Sequence, residues 1–313
     1  LARFIRLAPL YYVGLALGIV ALLLTMHHGE AHFISTRQFV AAVVFGLAWL
    51  PFFNHGVWPF GMESIGSSVF PLDDPAWALF FELFVNMLFF AYVLRYRRVA
   101  SVRFVVAAYA AWLVCVAVSG YVNPGWSRGN FVFAFPRVTA EFFIGALIYA
   151  LGVHRKAVPP ALAWCVGALA LAGFAAESRD LHLLDALALV PLTVALMSAL
   201  VLASPAAKRI CRVLGDLSYP VYVLHFPIYR LLYALLDFKS ITPLHQTLLA
   251  ATACIAVALL LAPVDLAVRR RLTQRGGLRP IPPRSRLPPP PASSSWRKTW
   301  LVRAVLPRSW STP

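Results

Sequence analysis

"LDDPAWALFFELFVNMLFFAYVL", Leu72 to Leu94, decides the fold. Asp74 suits a helix N-cap and Pro75 the first helical position. From Ala76 to Leu94 one charged side chain, Glu82, interrupts otherwise apolar sequence. A helix needs about 20 such residues to cross the hydrocarbon core of a bilayer. Nothing in the stretch alternates as a barrel strand would, so the backbone must satisfy itself as a helix. Glu82 then lies about 10 Å along that helix at 1.5 Å per residue. If the orientation argued below holds, that depth is inside the hydrocarbon and nearer the non-cytoplasmic side.

The rest of the chain fits this reading. Of the 313 residues, 60% are hydrophobic and 13% charged, with a mean hydropathy of +0.74. Soluble domains are about 45–50% apolar. Nine segments qualify as spans: Leu7–Met26, Gln38–Phe53, Ala76–Leu94, Val102–Gly120, Pro136–Leu151, Pro160–Ala176, Leu183–Ala203, Leu217–Leu236 and Leu244–Val268. The expected fold is an all-α, polytopic transmembrane bundle of about nine spans. The second and fifth segments are short.

The net charge of +16 is unevenly placed, with eleven Lys and Arg and no acid from Arg269 onward. A basic tail of this kind touches anionic lipid or is merely solvated, and it is not a nucleic-acid surface. Residues 1–271 form the membrane domain. Residues 272–313, rich in Pro, Ser and Arg, read as a disordered tail. Basic clusters at Arg95–Arg103, His154–Lys156, Lys208–Arg212 and Arg269–Arg271 occupy every second loop. The positive-inside rule makes those loops and the tail cytoplasmic, in a multi-pass protein of the inner (plasma) membrane. Arg3 and Arg6 break the alternation if both upstream segments cross. Either the second segment does not cross, or these arginines serve a function.

Four stretches carry polar groups where lipid would exclude them. Glu82, with Asn86 at i+4 on the same stripe, is costly to bury and faces a cavity or a partner. "FPRVTAEFFIGALIYAL" places Glu141 one turn from Arg137, as a ligand contact or an i,i+4 pair, with Gly145 open to close helix contact. In "LGDLSYPVYVLHFPIYRLL", Ser218, Tyr222, His225 and Tyr229 share one helix face. They line a cavity or bond between helices. Pro220 and Pro227 predict a bend there. In "RFIR", Arg3 and Arg6 suit a phosphate, or lipid headgroups, through bidentate bonds.

The remaining candidates are weaker. His27, His28, Glu30 and His32 match no common zinc spacing, and no metal site is expected. His55 sits in the loop before Leu72. Cys115, Cys165, Cys211 and Cys254 form no paired motif and read as small hydrophobes.

Taken in order, "RFIRLAPLYY", "DDPAWALFFELFVNMLF", "PRVTAEFFIGALIYA", "LGDLSYPVYVLHFPIY" and "APVDLAVRRRL" resemble acyltransferase family 3. These are polytopic O-acyltransferases that decorate polysaccharides, lipopolysaccharide and some secondary metabolites. The resemblance covers nearly all of residues 1–271. It implies that Arg3 and Arg6 help bind an acyl-CoA donor on the cytoplasmic side, with no tightly bound cofactor. It implies roles for Glu82 and His225 in catalysis and for Trp77, Ser218 and Tyr219 along the acyl or acceptor channel, where Asn86, Glu141 and Tyr222 are expected from their helix positions. The acceptor would be a hydroxyl of a cell-surface glycan, a lipid-linked sugar or a metabolite, and the group moved an acetyl. Asp265 falls where the family often carries an acid. The family begins with a helix bearing a basic residue and a His regarded as the catalytic base. This chain opens without Met, already at a helix mouth, so that helix and the next are expected upstream of Leu1. A transporter or flippase, or an inactive homologue, would share the same midplane polar residues.

Overall fold

The computed structural model describes residues 2–27, 35–53, 68–153, 158–175, 179–199, 205–236 and 241–275. Each of the nine apolar segments overlaps a helix of the described residues. The helices are α1 (Ala2–His27), α2 (Thr36–Leu47), α3 (Ala76–Tyr96), α4 (Val102–Ser119), α5 (Ala134–Ala150) and α6 (Pro160–Ala175). They continue as α7 (Arg179–Leu184), a π-helical stretch over Asp185–Leu189, α8 (Val190–Ala199), α9 (Pro205–Leu235) and α10 (Pro243–Arg275). Among the described residues the only strand-like pairing is an isolated bridge between Ser68 and Ser127.

Five of these helices are long and apolar enough to cross a membrane: Arg3–His27, Ala76–Tyr96, Val102–Ser119, Phe131–Ala150 and Pro243–Leu272. Thr36–Leu47, Pro160–Gly173 and His182–Met197 are apolar but shorter. Met87, Val118 and Leu260 stand outward and exposed, as lipid contact requires.

Side-chain pairings fix how the helices run. Along α3 and α5, Phe81 meets Phe131, Phe84 meets Phe135, and Phe89 meets Phe142, so the two are parallel. α4 returns between their ends, with Phe104 against both Tyr92 and Phe143. α1 and α9 run together, since Tyr219 donates to the Leu7 carbonyl and Gly14 abuts the Val223 carbonyl. α1 opposes α3, with Arg3 on Glu82 at one end and Gly18 on Leu72 at the other. The beginning of α1 therefore points towards the end of α3 that carries Arg95 and towards the Lys208 end of α9.

That arrangement bears on Arg3 and Arg6. The twelve residues of α2 rise about 18 Å, short of the ~30 Å core. α2 lies against α1, with the Tyr11 hydroxyl donating to Gly46 O at 2.6 Å and Trp49 stacked near Tyr11 and Phe4. The two arginines stand on the end of α1 that points the same way as the basic ends of α3 and α9.

Two boundaries differ from the sequence reading. α9 starts at Pro205, not Leu217, because "KRICRVLGD" is an amphipathic turn that hydropathy alone passes over. α10 continues to Arg275, so the expected tail boundary at 272 falls inside a helix. The rest of the tail, along with His28, Glu30, His32 and His55, lies outside the described residues.

Ahead of α3, residues 68–75 fold into the bundle. Ser68 donates to the Asp74 carboxylate, and Val69 N–H bonds Trp126 O at 3.1 Å. Buried Asn130 holds the facing loop by accepting from Gly125 and Ser127 N–H at 2.9 and 3.0 Å. Pro75 caps α3 without a side-chain bond. Asp74 is thus a tie to Ser68, not the helix cap the sequence predicts, because its carboxylate turns to that hydroxyl.

Candidate functional site

A polar column runs between α1, α3, α9 and α10. At the end where α1 begins, Arg3 Nη1 donates to Glu82 Oε1 at 2.9 Å. The two side chains are 52% and 32% exposed. Glu82 is therefore half-open and paired. It lies level with the start of α1, and the loop before α3 is seated on that helix, with Leu72 against Gly18. Arg6, also on the first turns of α1, is exposed.

Tyr219 stands next in the column. Its hydroxyl donates to Leu7 O, and the Arg269 guanidinium lies 5.5 Å over its ring. Arg269 is held by Asp265, one turn back on α10. Tyr222 follows, donating to Pro75 O at 3.2 Å. It lies within electrostatic reach of Asp73, Asp74, Arg137 and Glu82. The Arg137–Glu141 pair of α5, at 2.9 Å, therefore faces the same space. His225 Nδ1 sits 2.6 Å from the Tyr222 carbonyl. Donating there leaves Nε2 as a bare acceptor. Asp74 lies within electrostatic reach of His225.

The deepest part is Asp73, in the loop before α3 and 1% exposed. Neither of its carboxylate oxygens has a hydrogen-bond partner among the described residues. Burial pushes its carboxyl well above the usual range, and Asp74 adds to this against the pull of Arg230. Burial raises Asp74 as well, opposed by the Ser68 hydroxyl, Arg230 and His225. Arg230, 2% exposed, donates to Pro71 O and lies 4.2 Å over the Phe226 ring.

The Asp73 titration has a measurable sign. The folded state holds its proton more tightly than the unfolded chain does. The proton thus favours folding at low pH, and that advantage shrinks as pH climbs from about 4 towards the raised folded-state value. Asp73→Asn does not titrate. Its melting temperature in detergent, minus that of the unsubstituted protein, is expected to rise with pH from about pH 4 to 8. A flat difference would mean that Asp73 is already ionised in the fold.

The other expected site residues divide. Arg3, Glu82, Tyr219, Tyr222 and His225 share the column, and Glu141 reaches its side through Arg137. Three turn elsewhere. Asn86 spends its amide on Glu82 O at 2.7 Å, on its own helix. Ser218 donates to Gly215 O at 2.8 Å and is exposed. Trp77 packs on Gly125 and edge-on to Phe81. Gly145 has no neighbour within 4 Å of an added Cβ, so it is not the close helix contact its spacing suggests.

Sequence reasoning passed over Asp73, Arg230 and the Gly14–Gly18 contact. Each left a signal. Arg230 interrupts the apolar run "FPIYRLLYALL", where charge is costly, and "GLALG" is a small-xxx-small spacing.

Among the described residues no three His, Cys, Asp or Glu side chains converge on a metal position. A family model described as an acyltransferase domain matches residues 1–263. No curated protein and no solved structure matches the chain.

Proposed function

The chain belongs to acyltransferase family 3, and on that premise we propose that it moves an acyl group from a cytoplasmic acyl-CoA to a hydroxyl of a glycan, lipid-linked sugar or metabolite. The observation that carries this reading is the Arg3–Glu82 contact at 2.9 Å. It joins the paired guanidiniums of α1 to the carboxylate of α3 at one end of a column whose other end holds His225. Arg3 and Arg6 hold the CoA phosphates by bidentate charge-assisted bonds. Trp77 keeps α3 seated against the Gly125 loop, so Glu82 stays in register with Arg3.

In the reaction a hydroxyl oxygen attacks the thioester carbonyl carbon. His225 Nε2 accepts its proton. The tetrahedral centre then collapses, the C–S bond breaks, and the thiolate leaves with the electron pair. The proton passes on to that sulfur, so the step is neutral overall. Tyr219 and Tyr222 lie between Glu82 and His225 and supply the path.

Membranes containing the full chain, supplied with radiolabelled acetyl-CoA, are expected to release free CoA and to label a hydroxyl-bearing acceptor with base-labile radioactivity. His225→Gln keeps a polar side chain without a basic nitrogen. It is expected to lower the rate about 10²–10⁴-fold at unchanged protein level. Membranes that leave acetyl-CoA unconsumed would remove the reading.

A further inference from the structure

Glu141 lies within the span Phe131–Ala150, yet its side chain is 36% exposed. A carboxylate there is costly against lipid and belongs at a wet opening. Arg137, one turn earlier on α5, donates from Nε to Glu141 Oε1 at 2.9 Å. Its Nη1 donates to Asn123 Oδ1 and, at 3.3 Å, to Pro124 O. These bonds fix the guanidinium and leave polar groups over. Arg137 Nη2, Glu141 Oε2 and the amide nitrogen of Asn123, an exposed residue, have no hydrogen-bond partner among the described residues. The cluster shares a wall with the column. Gly125, beside Pro124, lies against the Trp77 ring in the first turn of α3. Two residues earlier the Pro75 carbonyl accepts from Tyr222, whose ring stands 5.9 Å from that of His225.

We propose that Asn123, Arg137 and Glu141 hold the acyl acceptor, and that this acceptor is a neutral polyol engaging them through two adjacent hydroxyls. The inference rests on the acyl-transfer reading above and adds to it the class of acceptor and the wall that binds it. Glu141 cancels the Arg137 charge, so a carboxylate or phosphate gains little at the cluster and is repelled by the open Glu141 oxygen. A hydroxyl both donates and accepts. One hydroxyl accepts from Arg137 Nη2 and donates to Glu141 Oε2, and its neighbour accepts from the Asn123 amide. The two hydroxyls must be adjacent, because the donors and the acceptor belong to one ion pair and the amide bonded to it. The first turn of α3 then guides a further hydroxyl of the same molecule towards His225 Nε2.

Three probe acceptors test the proposal on membranes containing the full chain and radiolabelled acetyl-CoA. They are methyl α-D-glucopyranoside, its 2,3-dideoxy analogue, whose remaining hydroxyls are not adjacent, and the corresponding glucuronide, which is an anion. The glucoside is expected to be acylated with kcat/KM about 10-fold or more above either of the others. Glu141→Gln keeps an acceptor for Arg137 Nε and leaves the cation uncancelled. It is expected to raise KM for the glucoside about 10-fold or more, to narrow the gap between glucoside and glucuronide, and to leave KM for acetyl-CoA unchanged. A pair that only holds α5 together would treat the three probes alike. Asn123→Ala, at an exposed loop position, is expected to narrow the glucoside-to-dideoxy ratio about 2–10-fold, and this reading stands even if Glu141→Gln fails to fold. Equal use of glucoside and dideoxy analogue, or unchanged selectivity in the folded variants, would overturn the site. Labelling of a membrane acceptor that the glucoside neither shares nor inhibits would overturn it as well. No consumption of acetyl-CoA by the unsubstituted protein would sink the reaction it rests on.

Discussion

Glu82→Gln is expected to leave protein abundance and melting temperature near normal while acyl transfer falls about 10²–10⁴-fold. The two halves of that expectation come from different magnitudes. The Arg3–Glu82 pair is half-open to solvent, at 52% and 32% exposure. Exposed ion pairs contribute about 0–1 kcal/mol, too little to unfold a bundle held by the aromatic packing of α3 on α5. A large loss of rate at constant abundance therefore has to come from the site. Product formation and protein level must be measured on the same membranes, and full acylation at normal abundance would exclude a catalytic role for Glu82.

The partner substitution separates two ways in which Glu82 acts. If Glu82 only orients Arg3 for phosphate, then Arg3→Gln and Glu82→Gln raise KM for acyl-CoA alike and the double variant adds nothing. If Glu82 also carries the proton towards the leaving sulfur, Glu82→Gln lowers kcat and Arg3→Gln does not. The column favours the second outcome, because both Tyr219 and Tyr222 lie within electrostatic reach of Glu82.

Hydropathy made the helices legible and left their depths hidden. A span shows itself by apolar length, which the sequence prints. How deep it starts depends on what precedes it. Residues 68–75 enter the bundle because Asp73, Asp74 and Ser68 find partners or burial there, which no window average records. Glu82 was thus legible as a costly carboxylate inside an apolar helix, while its pairing with Arg3 of α1 was not. The same limit explains Asp73. In "LDDP" it looks like a surface acid beside a cap, and only the arrival of Gly14 and α9 makes it interior. Arg3 and Arg6 break the charge alternation if α2 crosses, and hydropathy alone does not show that α2 is only twelve residues long. The stripe on α9 was half right. Tyr222 and His225 face the column. Ser218, a turn earlier, bonds to its own helix while Tyr219 takes the contact with α1.

Gly18→Ala is expected to be the most damaging small substitution in the chain. In an isolated helix Ala is favoured over Gly by about 1 kcal/mol, so α1 alone would gain. In the bundle an added Cβ would collide with the Leu72 carbonyl, a backbone atom that no rotamer change can move aside. Overpacking a core ordinarily costs about 1–3 kcal/mol, and a backbone collision belongs at or above the upper end. The helix preference is outweighed, and the net loss is expected to be about 2 kcal/mol or more. Relief requires residues 71–73 to move away from α1. That motion would draw Asp73 out of its buried place and shift α3, so Glu82 would lose register with Arg3. Gly18→Ala should therefore melt lower in detergent and also lose transfer activity in the fraction that stays folded. Gly145→Ala is the control, since nothing lies within 4 Å of the added Cβ and α5 should gain from the substitution. If Gly18→Ala melted and transferred acyl groups like Gly145→Ala, the loop would not be seated against α1, and the depth assigned to Glu82 would fail with it.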